Sequence, residues 1–365
     1  MTAPAAACDL RPDLLGLTRP QLDALLAPVA DRPFRARQIF DALHRRRVTG
    51  FAEMTDLPAA LRERLAREFT LALPAVADRR DSGDGTVKYL LHLADGAAIE
   101  TVDIPDGERR TLCLSSQAGC GLACAFCVTG FWGSGRNLTA GEIVGQVRCL
   151  EALAGLPESF NLVFMGMGEP LLNLDALTPA LELLSLRLPR RKITVSTAGV
   201  VPGIDALATW PRRPNLAVSL HAPDDERRSR IMPINRTYPL AELVAALERF
   251  PLEPRRRITI EYLLLAGFND AAPDADALVR RLARVPVKFN LIPFNPDPVL
   301  PDWMQRPTAD RVEAFRNRLE QRGATVTVRR QRGHDVAAAC GQLRAFDREP
   351  RGPRARGRTL PDRAR

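Results

Sequence analysis

The chain has 365 residues, 45% of them hydrophobic, enough for one large α/β core and a small accessory domain. Lysine and arginine total 52 against 43 aspartate and glutamate, a net charge of +9. That excess favours polyanionic partners, although an arginine-rich solvated surface would produce the same number. No run of about 18 uncharged apolar residues is present, which excludes a membrane-spanning helix. The start, Met1 to Leu10, lacks the basic end and long apolar centre of a secretory signal, so a cytoplasmic protein is expected.

Residues 1–75 read as a helical module, with apolar stripes at Leu14, Leu15, Leu22, Leu25 and Leu26, then Ile39, Phe40 and Leu43, then Leu57, Leu61 and Leu65. Its middle is basic (Arg32, Arg35, Arg37, Arg45, Arg46 and Arg47), which suits either RNA or solvent. Across 76–105 the period changes to that of a hairpin, Val87–Leu93 and Ala97–Ile104 flanking Asp95-Gly96. From 106 to 335 strands and helices alternate. Strands are expected at Thr111–Ser115, Asn161–Met165, Lys192–Ser196, Asn215–Leu220, Arg257–Leu264 and Val287–Ile292, with one more at Ala324–Val328. Helices are expected at Thr139–Ala154, Leu174–Leu186, Ile204–Thr209, Leu240–Phe250, Asp274–Ala283 and Thr308–Arg322. Six β-α units imply a parallel sheet with functional residues at the C-terminal strand ends. The final stretch, 336–365, ends in an Arg-, Pro- and Gly-rich tail from Arg344 with too little apolar content to fold.

Three of the seven cysteines crowd into Cys120-Gly-Leu-Ala-Cys124-Ala-Phe-Cys127, just after the first strand of the α/β region. Thiolates on one short loop can hold three irons of a 4Fe-4S cluster and leave the fourth open to a ligand. A structural zinc site is the alternative, but it wants four ligands, and no fourth Cys or His lies nearby in sequence. Gly166-Met-Gly-Glu169-Pro170, Ser196-Thr-Ala-Gly199, Ser219-Leu220-His221 and Asn295 stand at successive strand ends and together ring one face of a barrel. Taken alone, Cys113 reads as a buried strand cysteine, Glu100 as a residue that faces solvent, and Cys149 as helix core, with Cys8 incidental. Cys340 sits in a glycine-bounded segment beside Arg332 and His334, a setting that exposes a thiol.

The CxxxCxxC loop, with Phe126 before its last cysteine, resembles the radical S-adenosylmethionine (SAM) superfamily. Cys113–Cys120, Gly166–Pro170, Ser219–Pro223, Leu291–Pro296 and Ala338–Leu343 are similar to the RlmN/Cfr family of RNA adenine methyltransferases, as is Met54–Pro58. The resemblance runs from about Leu14 to Leu343. It implies a partial (βα)6 barrel with an N-terminal helical accessory domain and a β-hairpin extension. It also implies a 4Fe-4S cluster on Cys120, Cys124 and Cys127, and SAM held by Gly168, Glu169, Ser196, Ser219, Leu220, His221 and Asn295. In the implied reaction Cys340 accepts a methyl group from one SAM, and a 5′-deoxyadenosyl radical from a second abstracts hydrogen from it. The methylene radical adds to the adenine carbon, Glu100 removes the ring proton, and Cys113 attacks the Cys340 sulfur, releasing the base through a transient disulfide. The implied partners are 23S rRNA, tRNA and a flavodoxin-type electron donor, and a monomer is expected. The implied product is C2-methyladenosine; C8 methylation is the Cfr-like alternative and a non-catalytic RNA-binding zinc protein the third. Val128–Leu138 departs from the family's Gln-rich version, so Phe131 and Trp132 either stack on an RNA base or pack over the cluster.

Overall fold

The computed structural model describes residues 11–30, 32–71, 73–339 and 341–343; Cys8, Cys340 and the basic tail lie outside the described residues. Three helices, α1 (Arg19–Leu26), α2 (Phe34–Asp41) and α3 (Ala59–Glu68), build the N-terminal module. Thr18 opens α1 with a capping box to Gln21, and Leu22 and Leu26 are its buried stripe. The module does not stand apart. Its leucines join the same apolar cluster as the barrel strands, and Arg148 donates to the carbonyls of Leu43, Arg47 and Val48.

A ten-stranded sheet runs in sequence order. β1 (Ala75–Asp81), β2 (Val87–His92), β3 (Ala98–Asp106) and β4 (Arg109–Cys113) pair antiparallel. From β4 the pairing turns parallel through β5 (Asn161–Phe164), β6 (Ile193–Thr197), β7 (Asn215–Ser219), β8 (Ile258–Leu264) and β9 (Val287–Pro293) to β10 (Val326–Val328). Crossovers are supplied by α4 (Ala140–Ala154), α5 (Leu174–Leu184), α6 (Val201–Thr209), α7 (Asp225–Ile231) with α8 (Leu240–Arg249), α9 (Ala272–Arg281) and α10 (Ala309–Gln321). Parallel strands need such long connections, and burial on both faces gives the apolar runs seen in sequence. Thr139 and Glu142 cap α4 reciprocally, fixing where the chain re-enters the barrel wall after the cysteine loop.

The expected hairpin, all six barrel strands and the strand after them form. Two elements are additional. β1 extends the hairpin into a three-stranded ribbon, and α7 follows β7. No helix among the described residues is long and apolar enough to cross a membrane.

Candidate active site

β4 carries Cys113 to the barrel's rim, where the chain turns over β5: Leu114 N–H donates to Val163 O, and Gly166 N–H returns to Leu114 O. The backbones approach so closely that a Cβ at Gly166 would lie 2.6 Å from Leu114 O, and one at Gly168 (φ +96°) 2.5 Å from Gln117 Cβ. These glycines therefore serve the contact between two rim loops as much as any ligand. The cysteine loop is then tied down on three sides. Cys120 N–H donates to Gly133 O, Ala125 N–H to Ile231 O, and Val128 N–H to Gly341 O.

One open cavity lies inside the rim, where ligand sites of such barrels collect. Cys120, Cys124 and Cys127 line it, and so do Gly168, Glu169, Ser196, Ser219, His221 and Asn295. Four strand ends and the cysteine loop thus converge as the resemblance implies. Burial, and then the charge of Cys127, push the Cys120 thiol up to about 12; burial and both neighbouring cysteines push Cys124 further. Thiols this close and dry ionise only beside a cationic group. Among the described residues no three ligand side chains converge on a single metal ion, whereas a cluster takes each thiolate on a separate iron.

Glu169 is buried, its two carboxylate oxygens accepting from Leu171 N–H (3.0 Å) and Ala198 N–H (2.7 Å). Burial raises its pKa to about 7 against those hydrogen bonds. Such a carboxylate can accept a ligand ammonium. Its backbone N–H donates to Gln117 Oε1. His221 sits at φ +60°, with Nδ1 accepting from Leu263 N–H (3.0 Å). Burial and then Arg228 depress it to about 3, so the imidazole is neutral. Phe126 meets it edge-to-face at 4.7 Å.

Leu220 does not line the cavity; its side chain is wholly buried in the main core, and Ser219 and His221 take the cavity positions. Glu100 does not face solvent: it is fully buried, with Lys88 Nζ at 3.1 Å. Cys113 is buried at the end of β4. Phe131 and Trp132 are half-buried and pack with Cys124 and Phe126, so of the two readings it is packing beside the cluster loop that is seen.

Sequence reasoning missed Arg228. It is fully buried on α7 and donates to Leu220 O, Asn235 Oδ1, Ala198 O and Ser219 O, at 2.7–3.1 Å. One guanidinium thus ties together the ends of β6 and β7. Asn269 was missed likewise: its amide donates to His221 O and Leu263 O.

Two family models match the chain: the ribosomal RNA large subunit methyltransferase N-terminal domain over residues 12–71, and the radical SAM superfamily over residues 114–279. A dual-specificity RNA methyltransferase RlmN of Anaeromyxobacter dehalogenans is 46% identical, with 95% of each chain aligned. The chain belongs to the RlmN family of radical SAM RNA methyltransferases. The RlmN of Halorhodospira halophila is 48% identical over 91% of this chain and 93% of its own. A crystal structure of a radical SAM methyltransferase from Sphaerobacter thermophilus superposes with a TM-score of 0.85 at 43% identity, covering 92% of this chain and 99% of that one. RlmN-family membership implies a 4Fe-4S cluster and SAM. The cavity fits both, with three thiols on one side and an ammonium acceptor on the other.

The segment that bears Cys340 is held against this site from both sides. Lys88 Nζ donates to Ala337 O (3.1 Å), which places Glu100 beside that segment. Beyond it, Gln342 donates to Pro296 O, Thr129 Oγ1 donates to Leu343 O, and Gly341 and Leu343 line the cavity.

Proposed function

We propose that this enzyme methylates C2 of adenosine in 23S rRNA, at the peptidyl-transferase centre, and in tRNA just 3′ of the anticodon. The supporting observation is the arrangement of the C-terminal segment. Residues on both sides of Cys340 are pinned between Glu100 and the cysteine loop, at the mouth of the cavity. When bound, the cluster and SAM supply a 5′-deoxyadenosyl radical; the protein's part is placement, exclusion of water and acid–base work. Cys120, Cys124 and Cys127 hold the cluster. Glu169 accepts from the SAM ammonium, and Gly168, Ser196, Ser219, His221 and Asn295 line the rest of its site; Leu220 contributes through its backbone.

Cys340 carries the methyl group destined for the base. Glu100 takes the proton that leaves the ring carbon, and Lys88 Nζ, 3.1 Å away, pairs with the carboxylate in a dry site. Cys113 then attacks the Cys340 sulfur. The S–CH2 bond breaks with its electron pair passing to the carbon, which takes up a proton to become the methyl group, and a Cys113–Cys340 disulfide forms as the methylated base leaves. A flavodoxin-type protein delivers electrons, the enzyme works as a cytoplasmic monomer, and the basic N-terminal module contributes to RNA binding.

The test uses two variants. Cys113→Ala is expected to trap RNA covalently on the protein, visible as a slow gel band that nuclease reduces to a nucleotide remnant, while Cys340→Ala forms no adduct. Full activity of Cys113→Ala without an adduct would overturn the mechanism. Mass spectrometry of nucleosides from a deletion strain decides C2 against C8.

A further inference from the structure

Three loops at the C-terminal ends of adjacent strands bring Arg230, Phe268 and Trp303 together on the rim. Arg230 belongs to α7, Phe268 to the β8–α9 loop and Trp303 to the β9–α10 loop. The two rings meet at 5.4 Å with a 53° tilt. The guanidinium lies over both, 5.6 Å from the Phe268 centroid and 4.6 Å from Trp303. The group is built rather than accidental. Arg227 fixes the Phe268 loop by donating to Phe268 O (2.8 Å) while it pairs with Asp224 and Asp274. Ala266 N–H donates to Gln305 O, joining the other two loops.

Two features of this group are open. Trp303 is 40% exposed, an indole that a solvated loop would not ordinarily leave in water. Arg230 is exposed, and among the described residues no carboxylate lies within ion-pair distance of it, although Asp302 neighbours Trp303 in sequence. The rings thus hold a cation whose N–H groups stay available. The platform is continuous with the active site. Phe268 packs on the apolar cluster that contains Met232 and borders Cys124 and Phe126, and Met232, two residues from Arg230, lines the cavity.

We infer that Arg230, Phe268 and Trp303 form a docking surface for an unpaired nucleotide flanking the target adenosine in RNA. The inference rests on the RNA-methyltransferase reading. A base can enter the cavity only after leaving its stack, so the nucleotides beside it reach the rim as single strand. Single-stranded RNA is held by aromatic faces and guanidinium planes, with cations on its phosphates. Here an exposed indole offers the face, and Arg230 donates to a phosphate oxygen. An acidic protein surface would engage the cation but would leave the indole face unused.

The experiment compares reconstituted full-length wild type, Trp303→Ala, Trp303→Phe and Arg230→Gln on unmodified tRNA and rRNA transcripts. Trp303→Ala is expected to raise the KM for RNA by roughly 5- to 150-fold, the range of one lost base stack. Trp303→Phe should recover most of that loss. Arg230→Gln should flatten the slope of log affinity against log salt by about one unit. If wild type binds and methylates RNA while Trp303→Ala and Arg230→Gln bind it equally well with the same salt slope, the inference is wrong. Normal RNA binding with slower electron uptake from a flavodoxin would assign the surface to a protein partner and overturn it. A wild type that neither binds nor methylates RNA would remove the function reading itself, and this inference with it.

Discussion

Arg228→Met removes the guanidinium that ties the ends of β6 and β7 while nearly preserving side-chain volume. Of its four acceptors, Leu220 O keeps Ala222 N–H. Ala198 O and Asn235 Oδ1 lose the only donor found for them among the described residues. A buried acceptor left unpaired costs about 1–3 kcal/mol, so the pair amounts to about 2–6 kcal/mol, reduced by the relief of removing a desolvated charge. With an unfolding entropy of about 2.1 cal/mol/K per residue, a 365-residue chain loses about 3–8 °C in Tm. Thermal unfolding of the cluster-free protein by circular dichroism measures this directly. SAM affinity should fall as well, since Ser196 and Ser219 stand on the two strands released. A separate effect is electrostatic: Arg228 pulls the Cys124 thiol down against burial and its neighbouring cysteines. A positive charge there favours the more negative, reduced cluster, so Arg228→Met should lower its potential. Arg228→Lys separates the two effects, because it keeps the charge but lacks the fork that reaches four carbonyls. The potential should recover and Tm should not. A Tm within about 1 °C of wild type in Arg228→Met, with unchanged SAM affinity, would refute the reasoning.

Two further outcomes are expected. Lys88→Met leaves the Glu100 carboxylate buried without its cation and should cost about 3–5 kcal/mol by chemical denaturation; the double variant Lys88→Met/Glu100→Leu should recover most of it, and a wild-type midpoint in the single variant would show that the pair carries no such cost. Glu169 has a folded pKa of about 7 against 4.5 when exposed, so the folded state holds its proton longer and stability falls as pH rises from 4.5 to 7. Glu169→Gln should flatten that limb in the cluster-free protein and gain on wild type by up to about 3 kcal/mol above pH 7; parallel stability curves would contradict this.

How much of this was legible in the sequence depended on whether a residue's partner leaves a pattern. The barrel strands were readable because burial on both faces makes them short apolar runs between turn residues, and the site followed because ligands collect at the ends of such strands. β1 was not readable: Asp78, Arg79, Arg80 and Asp81 make it an exposed charged edge with no alternation. α7 reads Asp-Glu-Arg-Arg-Ser-Arg-Ile, too short and too polar to show a stripe. That the side chain of Leu220 turns away from the cavity was readable, since strand side chains alternate and Ser219 points into it. Arg228, Asn269 and Lys88 had no such signal. Each reaches at least one main-chain carbonyl, which every residue possesses.

That last class explains how an incomplete barrel becomes a closed site. The ribbon strand β1 and the last strand β10 lie at opposite ends of one sheet, and a sheet that stops short of closure leaves two unpaired edges. The chain leaving β10 crosses toward the ribbon. Gly333 N–H donates to Asp84, Asp335 accepts from Ser82 and Gly83, and Ala337 accepts from Lys88. It then reaches the cysteine loop, where Gly341 accepts from Val128 and Leu343 from Thr129. The hairpin extension is therefore a clamp for the C-terminal segment, and Lys88 has two tasks: it neutralises Glu100 and holds a carbonyl three residues before Cys340. One side chain thus links the carboxylate to the segment. Displacing either opens the cavity on the side that Gly341 and Leu343 line, which is where water would enter.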